Sequence, residues 1–260
     1  ETFRLLSWAS DYYQHPLGEC LFTALPTALR RGRPAKEKPV LLWSATGSPD
    51  TLPTNARKQK ALLGWLIESP DGVSEKEIRR AGYTRAQIKA LQDKQLIEAD
   101  TRNAGHQTTS SPETHLRTPQ LSPAQQEAAS QLAHPSEGFG ASLLYGITGS
   151  GKTELYLHYL KTNLEAEQQA LVLVPEINLT PQTVARFRHY FDDRIVVWHS
   201  ALNDGERLST WLKIRNGEPV ILIGTRSAVL LPFTKLNAII VDEEHDSSYK
   251  QGEGFRYSAR

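Results

Sequence analysis

The sequence predicts an α/β protein: a parallel sheet with helices on both faces, preceded by a small winged-helix domain. Three observations predict it. From residue 121 onward, short apolar runs alternate with helical stretches, which is how buried parallel strands and their crossover helices read in a sequence. Residues 54–100 show helical periodicity closed by a short strand-like run. Between the first apolar run after residue 121 and the helix that follows it lies a glycine-rich loop.

Four ranges follow in order. Residues 1–53 hold scattered aromatics and prolines, with turn signals at Pro16-Leu17-Gly18 and Ser48-Pro49-Asp50, and read as a connector with some helix. Residues 54–105 read as the winged-helix domain. The stretch 56–68 places Ala61, Leu62, Trp65 and Leu66 on one helical face. Ser74-Glu75-Lys76-Glu77 is a capping box opening a second helix that Gly82 ends. Thr84-Arg85-Ala86-Gln87 opens a third, with Ile88 and Leu91 inward, and Leu96-Ile97-Glu98-Ala99 reads as a strand. Two short helices joined by a turn and followed by strands describe a winged helix-turn-helix. Its last helix exposes Arg85, Gln87, Lys89, Gln92 and Lys94, which face either a DNA groove or neighbouring domains. Residues 106–120 are polar and form a linker.

Residues 121–260 carry the sheet. Strands are expected at 141–145, 170–174, 194–198, 220–223 and 238–241, with helices at 153–165, 181–191 and 204–216. In such sheets the functional loops gather at the carboxyl ends of the strands.

Composition narrows the classes. The chain has 260 residues, with 30 Lys+Arg against 29 Asp+Glu, so it lacks the overall basicity that would announce nucleic-acid binding. The densest basic stretch, Arg30, Arg31, Arg33, Lys36 and Lys38, reads as a solvated linker. A single cysteine, Cys20, excludes a disulfide scaffold or a multi-cysteine zinc site within these residues. No apolar run approaches the roughly 18 residues of a membrane span, and residues 1–25 lack the pattern of a signal peptide. A cytoplasmic protein with no membrane partner is expected. The chain contains no methionine and starts on Glu1, which predicts a piece of a longer protein.

Two motifs carry chemistry. Gly146-Ile147-Thr148-Gly149-Ser150-Gly151-Lys152-Thr153 fits the phosphate-loop pattern, with an apolar run before it and a helix after it. Its glycines let backbone N–H groups wrap a phosphate, and the helix start adds unpaired donors and the positive dipole end. Lys152 is expected to reach the β and γ phosphates and Thr153 to ligate Mg²⁺. The second motif is Asp242-Glu243-Glu244-His245, at the end of an apolar strand. Asp242 is placed to hold the metal and Glu243 to activate water as general base. Three adjacent acids repel one another, which points to a bound cation. After them come Tyr249, Lys250, Phe255, Arg256 and Tyr257. Such residues stack bases on aromatic rings while their cations meet phosphates; for Phe255 and Tyr257 the alternative is packing under the sheet.

The Asp-Glu-Glu-His tetrad resembles that of the DExH helicases of superfamily 2. Further strings sharpen the likeness: Leu171-Val172-Leu173-Val174-Pro175-Glu176-Ile177-Asn178-Leu179-Thr180-Pro181-Gln182, then His199-Ser200, Gly224-Thr225-Arg226-Ser227-Ala228, and Ser247-Ser248-Tyr249-Lys250-Gln251. These, with Tyr12-Tyr13, Pro16-Leu17-Gly18-Glu19 and Ala24-Leu25-Pro26 near the start, look like the bacterial primosomal replication-restart helicase family. The resemblance spans nearly the whole chain. It implies that 121–260 is the first RecA-like lobe of an ATP-dependent 3′-to-5′ DNA helicase that restarts stalled forks.

It also implies residue roles. Leu121-Ser122-Pro123-Ala124-Gln125 resembles the adenine-reading motif, with Gln125 on the base edge, and is equally a good helix start. Thr225 and Arg226 would hold single-stranded DNA, as would the loop 175–180, while Arg186 and Arg188 read as helix-surface charges. Asn178 stands where the family has glycine; asparagine tolerates positive φ better than most residues. His245 would relay DNA occupancy from the aromatic loop to Glu243. The implied cofactors are ATP and Mg²⁺, with zinc expected elsewhere in full-length members and not in these residues. The implied partners are single-stranded and forked DNA, other primosome proteins and single-stranded-DNA-binding protein. A bacterial, nucleoid-associated monomer is expected. The second lobe and its arginine finger are outside these residues, so weak or absent hydrolysis is expected of them alone. A small-molecule kinase on a phosphate-loop fold, or a non-enzymatic winged-helix DNA-binding module, are the competing readings.

Overall fold

A computed structural model describes residues 1–36, 40–53, 56–69, 72–102, 121–132, 138–147 and 149–260. The expected linker 106–120, Lys38 and Thr148 lie outside the described residues. The chain divides into two compact units, one made of residues 1–35 and 112–260 and the other of residues 36–111. The stretch read as a connector is thus shared. Its helices α1 (Thr2–Tyr12), α2 (Leu17–Ala24) and α3 (Thr27–Arg30) belong to the larger unit, while strand β1 (Val40–Ala45) belongs to the smaller.

The smaller unit continues with α4 (Arg57–Ile67), β2 (Val73–Ser74), α5 (Glu75–Arg80), α6 (Arg85–Asp93) and β3 (Ile97–Arg102). Its sheet is antiparallel in the order β2-β1-β3, with Trp43 opposite Val73 on one side and Ala99 on the other. The capping box of α5 forms as expected: Ser74 Oγ accepts from the Glu77 N–H, and Glu77 Oε2 accepts from the Ser74 N–H. Gln87 Oε1 accepts from the Thr84 N–H at the start of α6. Leu62, Leu63, Leu66, Ile78, Ile88 and Leu91 fill the core with Trp43. On α4, Leu63 takes the inward place expected for Ala61, which is exposed.

The larger unit resumes with α7 (Pro123–Gln131), α8 (Lys152–Asn163), β4 (Gln169–Leu173), α9 (Pro181–Phe191), β5 (Ile195–Trp198), α10 (Asp204–Arg215), β6 (Ile221–Gly224) and β7 (Leu236–Val241). Four parallel strands pair in the order β5-β6-β4-β7. Both faces are covered, which is why the strands read as continuous apolar runs. Along β4, Leu171 and Leu173 face one core with α10 and the N-terminal helices, while Ala170 and Val172 face the other with α8 and α9. A fully buried leucine such as Leu157 or Leu222 contributes roughly 1.5–3 kcal/mol by leaving water.

One expected strand is corrected. Residues 141–145 form no strand, and Leu143 and Tyr145 are 85% and 94% exposed. Apolar character makes a strand only where a partner strand pairs with it, and residues 141–145 pair with none of the four strands, although β5 and β7 each keep an outer edge.

Candidate functional site

The phosphate-loop pattern becomes geometry at the start of α8. Gly149 and Gly151 adopt φ of 82° and 84°, the left-handed region where a side chain would be strained. A Cβ at position 151 would also collide with the Gln125 amide, and one at 146 would come within 2.8 Å of Ser150 Oγ. Positions 146 and 151 are thus crowded, whereas at Gly149 the backbone angle alone sets the demand, nothing lying within 4 Å of a Cβ there. Gln125 closes it from the side. Its Oε1 accepts from the Ser122 N–H at 2.9 Å, as the last member of a capping box, and its Nε2 donates to the Ser150 carbonyl at 3.3 Å. One side chain thereby caps α7 and touches the loop. The expected position Thr148 falls outside the described residues. Thr153 follows Lys152 in the first turn of α8.

Lys152 folds back onto its own loop. Its Nζ donates to the Gly146 carbonyl at 2.9 Å and the Ile147 carbonyl at 3.4 Å, and lies 3.2 Å from Glu243 Oε1. The two side chains are 13% and 25% exposed, so water screens the pair only partly. Asp242 ends β7. Its N–H donates to the Leu173 carbonyl at 2.9 Å, and its Oδ1 accepts from the Tyr156 hydroxyl at 3.0 Å. Burial raises the Asp242 pKa above the usual carboxylate range; the Tyr156 hydrogen bond opposes this, the Glu243 charge adds to it and Lys152 opposes it. Burial, reinforced by the Asp242 charge, pushes the Tyr156 phenol upward, so it stays a donor.

The three adjacent acids find separate partners. Asp242 takes Tyr156, Glu243 takes Lys152, and Glu244 pairs with Arg260 at 3.0 Å. Their repulsion is offset within the chain itself. Glu243 has φ 46°, a left-handed conformation that is uncommon outside glycine and costs on the order of 1–2 kcal/mol. His245 Nε2 lies 3.8 Å from Glu243 Oε2, with its side chain 81% exposed. The donor set suits Mg²⁺, which takes one or two carboxylates with phosphate oxygens and water. Asp242 and Thr153 offer hard oxygens beside a loop shaped for phosphates. Among the described residues no cluster of three or more His, Cys, Asp or Glu side chains builds an all-protein cage.

The expected nucleic-acid loops meet at the carboxyl ends of the strands. Glu176, Ser200, Arg207, Thr225, Arg226 and Ser248 line one shallow pocket there. Arg226 Nη1 donates to the carbonyls of Ser248, at 3.1 Å, and Lys250, at 3.4 Å, so it clamps the turn after the acidic tetrad. Thr225 is buried at 8% exposure. Arg207, which the sequence does not single out, donates to the His199 and Ser200 carbonyls at 3.0 and 3.2 Å and lies over the Trp198 ring. No motif announces it; its partners become visible only once β5 and α10 are folded together. Arg186 pairs with Glu154. Asn178 sits in a 3-10 turn without positive φ, so the loop makes no glycine-like demand there.

The aromatic loop corrects one expectation. Tyr249 and Phe255, placed as base-stacking residues, are 1% and 4% exposed, and Tyr257 is 6% exposed. The Tyr249 hydroxyl donates to the Leu173 and Asp242 carbonyls. Phe255 packs against Tyr13, His15 and Tyr257. The N-terminal helices supply the apolar surface that draws these rings inward. Lys250 and Arg256 of the same loop remain exposed.

Residues 122–260 match the family model for the DEAD/DEAH box helicase. The chain is 40% identical to the replication restart protein PriA of Haemophilus influenzae, covering 98% of this chain and 36% of that protein. It is 38% identical to the PriA of Bacillus subtilis, covering 80% of this chain and 27% of that protein. With the PriA of Synechocystis it shares 50% identity over 52% of this chain and 16% of that protein. The chain therefore spans about a third of the length of the relatives that it matches most fully.

Proposed function

The chain belongs to the DEAD/DEAH box helicase family, and on that footing we propose that it is the nucleotide-binding lobe of an ATP-driven DNA motor acting in replication restart. Its parallel sheet with flanking helices fits an α/β RecA-like lobe. One observation carries the proposal: Lys152 of the glycine loop and Glu243 at the end of β7 meet at 3.2 Å, beside Asp242.

The free N–H groups of the glycine loop and of the first turn of α8 hold the phosphates, and Gln125 reads the adenine edge. Thr153 and Asp242 would hold Mg²⁺, which would supply neutralisation of phosphate charge. Lys152 leaves Glu243 and the loop carbonyls to pair with the β and γ phosphates. Glu243, released, accepts the proton of the attacking water. His245, next to Glu243 and open to solvent, passes DNA occupancy to the base.

Single-stranded DNA runs over the strand ends, near Thr225 and the clamp made by Arg226, and is met by Lys250 and Arg256. With Tyr249 and Phe255 in the core, this contact rests on phosphate attraction rather than ring stacking, and so weakens steeply with salt. The smaller unit is read as a winged helix, because its three helices pack on a small antiparallel sheet. Arg85, Lys89 and Lys94 are its candidate phosphate contacts. Travel 3′-to-5′ on forked DNA, with single-stranded-DNA-binding protein and primosome proteins as partners, belongs to the same proposal for the longer protein.

Lys152→Ala tests it. Affinity for a fluorescent ATP analogue should fall about tenfold to a hundredfold, the worth of charge-assisted hydrogen bonds. Affinity for single-stranded DNA, read by anisotropy, should be unchanged. Unaltered nucleotide binding, or DNA-independent phosphate transfer to a small acceptor, would overturn the reading.

A further inference from the structure

We infer that Tyr156 is a positioning residue for the metal-holding carboxylate Asp242, an assignment that rests on the nucleotide-site reading above. The backbone of Asp242 is pinned at both ends. Its N–H donates to the Leu173 carbonyl at 2.9 Å, and its own carbonyl accepts from the Tyr249 hydroxyl at 2.5 Å. What stays free is rotation of the side chain. The Tyr156 hydroxyl limits that freedom by donating to Oδ1 at 3.0 Å, beside the Glu243 backbone N–H, which also reaches the carboxylate.

The placement follows from the helix. Tyr156 lies three residues after Thr153 on α8, hence on the same face and about one turn further in. The helix that presents the threonine ligand also presents the donor that orients the carboxylate. Leu155 and Leu157, 4% and 0% exposed, anchor that turn in the core, so the hydroxyl is held by packing. A hydrogen-bonded partner behind a metal ligand sets ligand orientation, and losing it typically weakens metal binding about 10–100-fold. Nothing in the glycine loop or the acidic tetrad announces this tyrosine.

Tyr156→Phe removes the hydroxyl and keeps the ring. Two measurements on the 260-residue chain read the result: Mn²⁺ affinity with nucleotide present, by electron paramagnetic resonance, and nucleotide affinity in EDTA. The variant should lose about 10–100-fold in Mn²⁺ affinity while nucleotide affinity in EDTA is unchanged. Asp242→Asn should also weaken Mn²⁺ binding, and adding Tyr156→Phe to it should change little further, because the hydroxyl acts through Asp242. If Tyr156→Phe binds Mn²⁺ like the wild type while Asp242→Asn does not, this inference alone falls. A variant that fails to fold, or that loses nucleotide in EDTA, overturns it in favour of a structural role. A wild-type chain that binds no nucleotide overturns both this inference and the proposed function.

Discussion

Glu243 is held in a costly conformation by the chemistry around it. Its φ of 46° would suit glycine, yet its carboxylate sits 3.2 Å from the Lys152 ammonium. Under the proposed function, nucleotide would have to break that pair before Lys152 could serve a phosphate. Glu243→Gln removes the competing charge, so nucleotide should bind several-fold tighter, the order expected from a partly screened pair of about 1 kcal/mol. Equilibrium titration checks this; weaker binding would mean that Glu243 organises the loop rather than competing with phosphate. A different signature belongs to Tyr257, whose phenol burial pushes up to about 12. In the unfolded chain that phenol ionises near its ordinary value of about 10. Its contribution to stability is therefore fully present below about 10 and is lost as pH rises towards about 12. Alkaline unfolding followed by phenolate absorbance should show one fewer late-ionising group in Tyr257→Phe. Phenolate appearing equally early in both chains would contradict the burial.

Elements are where sequence and structure agree best. The capping residues Ser74, Ser122 and Asn203 each start a helix, because their side-chain oxygens serve N–H groups that the helix cannot satisfy. The glycine loop was legible because two of its glycines are required by backbone angle alone. The strand expected at 141–145 was not, since strand formation depends on a partner from elsewhere in the fold that no local pattern encodes. The fate of Tyr249 and Phe255 was likewise hidden: an aromatic next to a cation reads the same whether it faces solvent or core, and Tyr13, from the other end of the chain, decides it. Gln169 gave no signal either, yet it is completely buried and staples three segments to the start of β4. Its Nε2 donates to the Ile214 and Glu218 carbonyls, and its Oε1 accepts from the Thr234 and Lys235 N–H groups. Gln169→Leu keeps the bulk but takes a partner from four backbone groups, of which the Ile214 carbonyl still holds the Gly217 N–H, so it should cost roughly 3–5 kcal/mol. A urea midpoint lowered at constant slope would show this, whereas an unchanged midpoint would mean water replaces the amide.

At the scale of the whole molecule, the start and the end of the chain share one core. Leu6, Ala9 and Cys20 are buried in the same cluster as Leu171, Leu222 and Trp211, and the Ser258 N–H donates to the Tyr13 hydroxyl at 3.1 Å. The Trp211 indole donates to the Ala24 carbonyl at 3.2 Å. Residues 36–111 form their own core around Leu62 and Trp43. The helices α1 and α2 are therefore structural parts of the larger unit, the one that carries the glycine loop. A ligand that binds only the folded form stabilises the unit that holds it. Nucleotide with Mg²⁺ should then raise the melting transition of the larger unit. Leu6→Ala, which empties a site only 3% exposed, should lower that same transition by about 2–5 kcal/mol of stability. Leu62→Ala, at a fully buried site, should act instead on the transition of the smaller unit. Calorimetry with and without nucleotide separates the two. If Leu6→Ala leaves the nucleotide-raised transition where it was, the N-terminal helices are a covering and not part of that core.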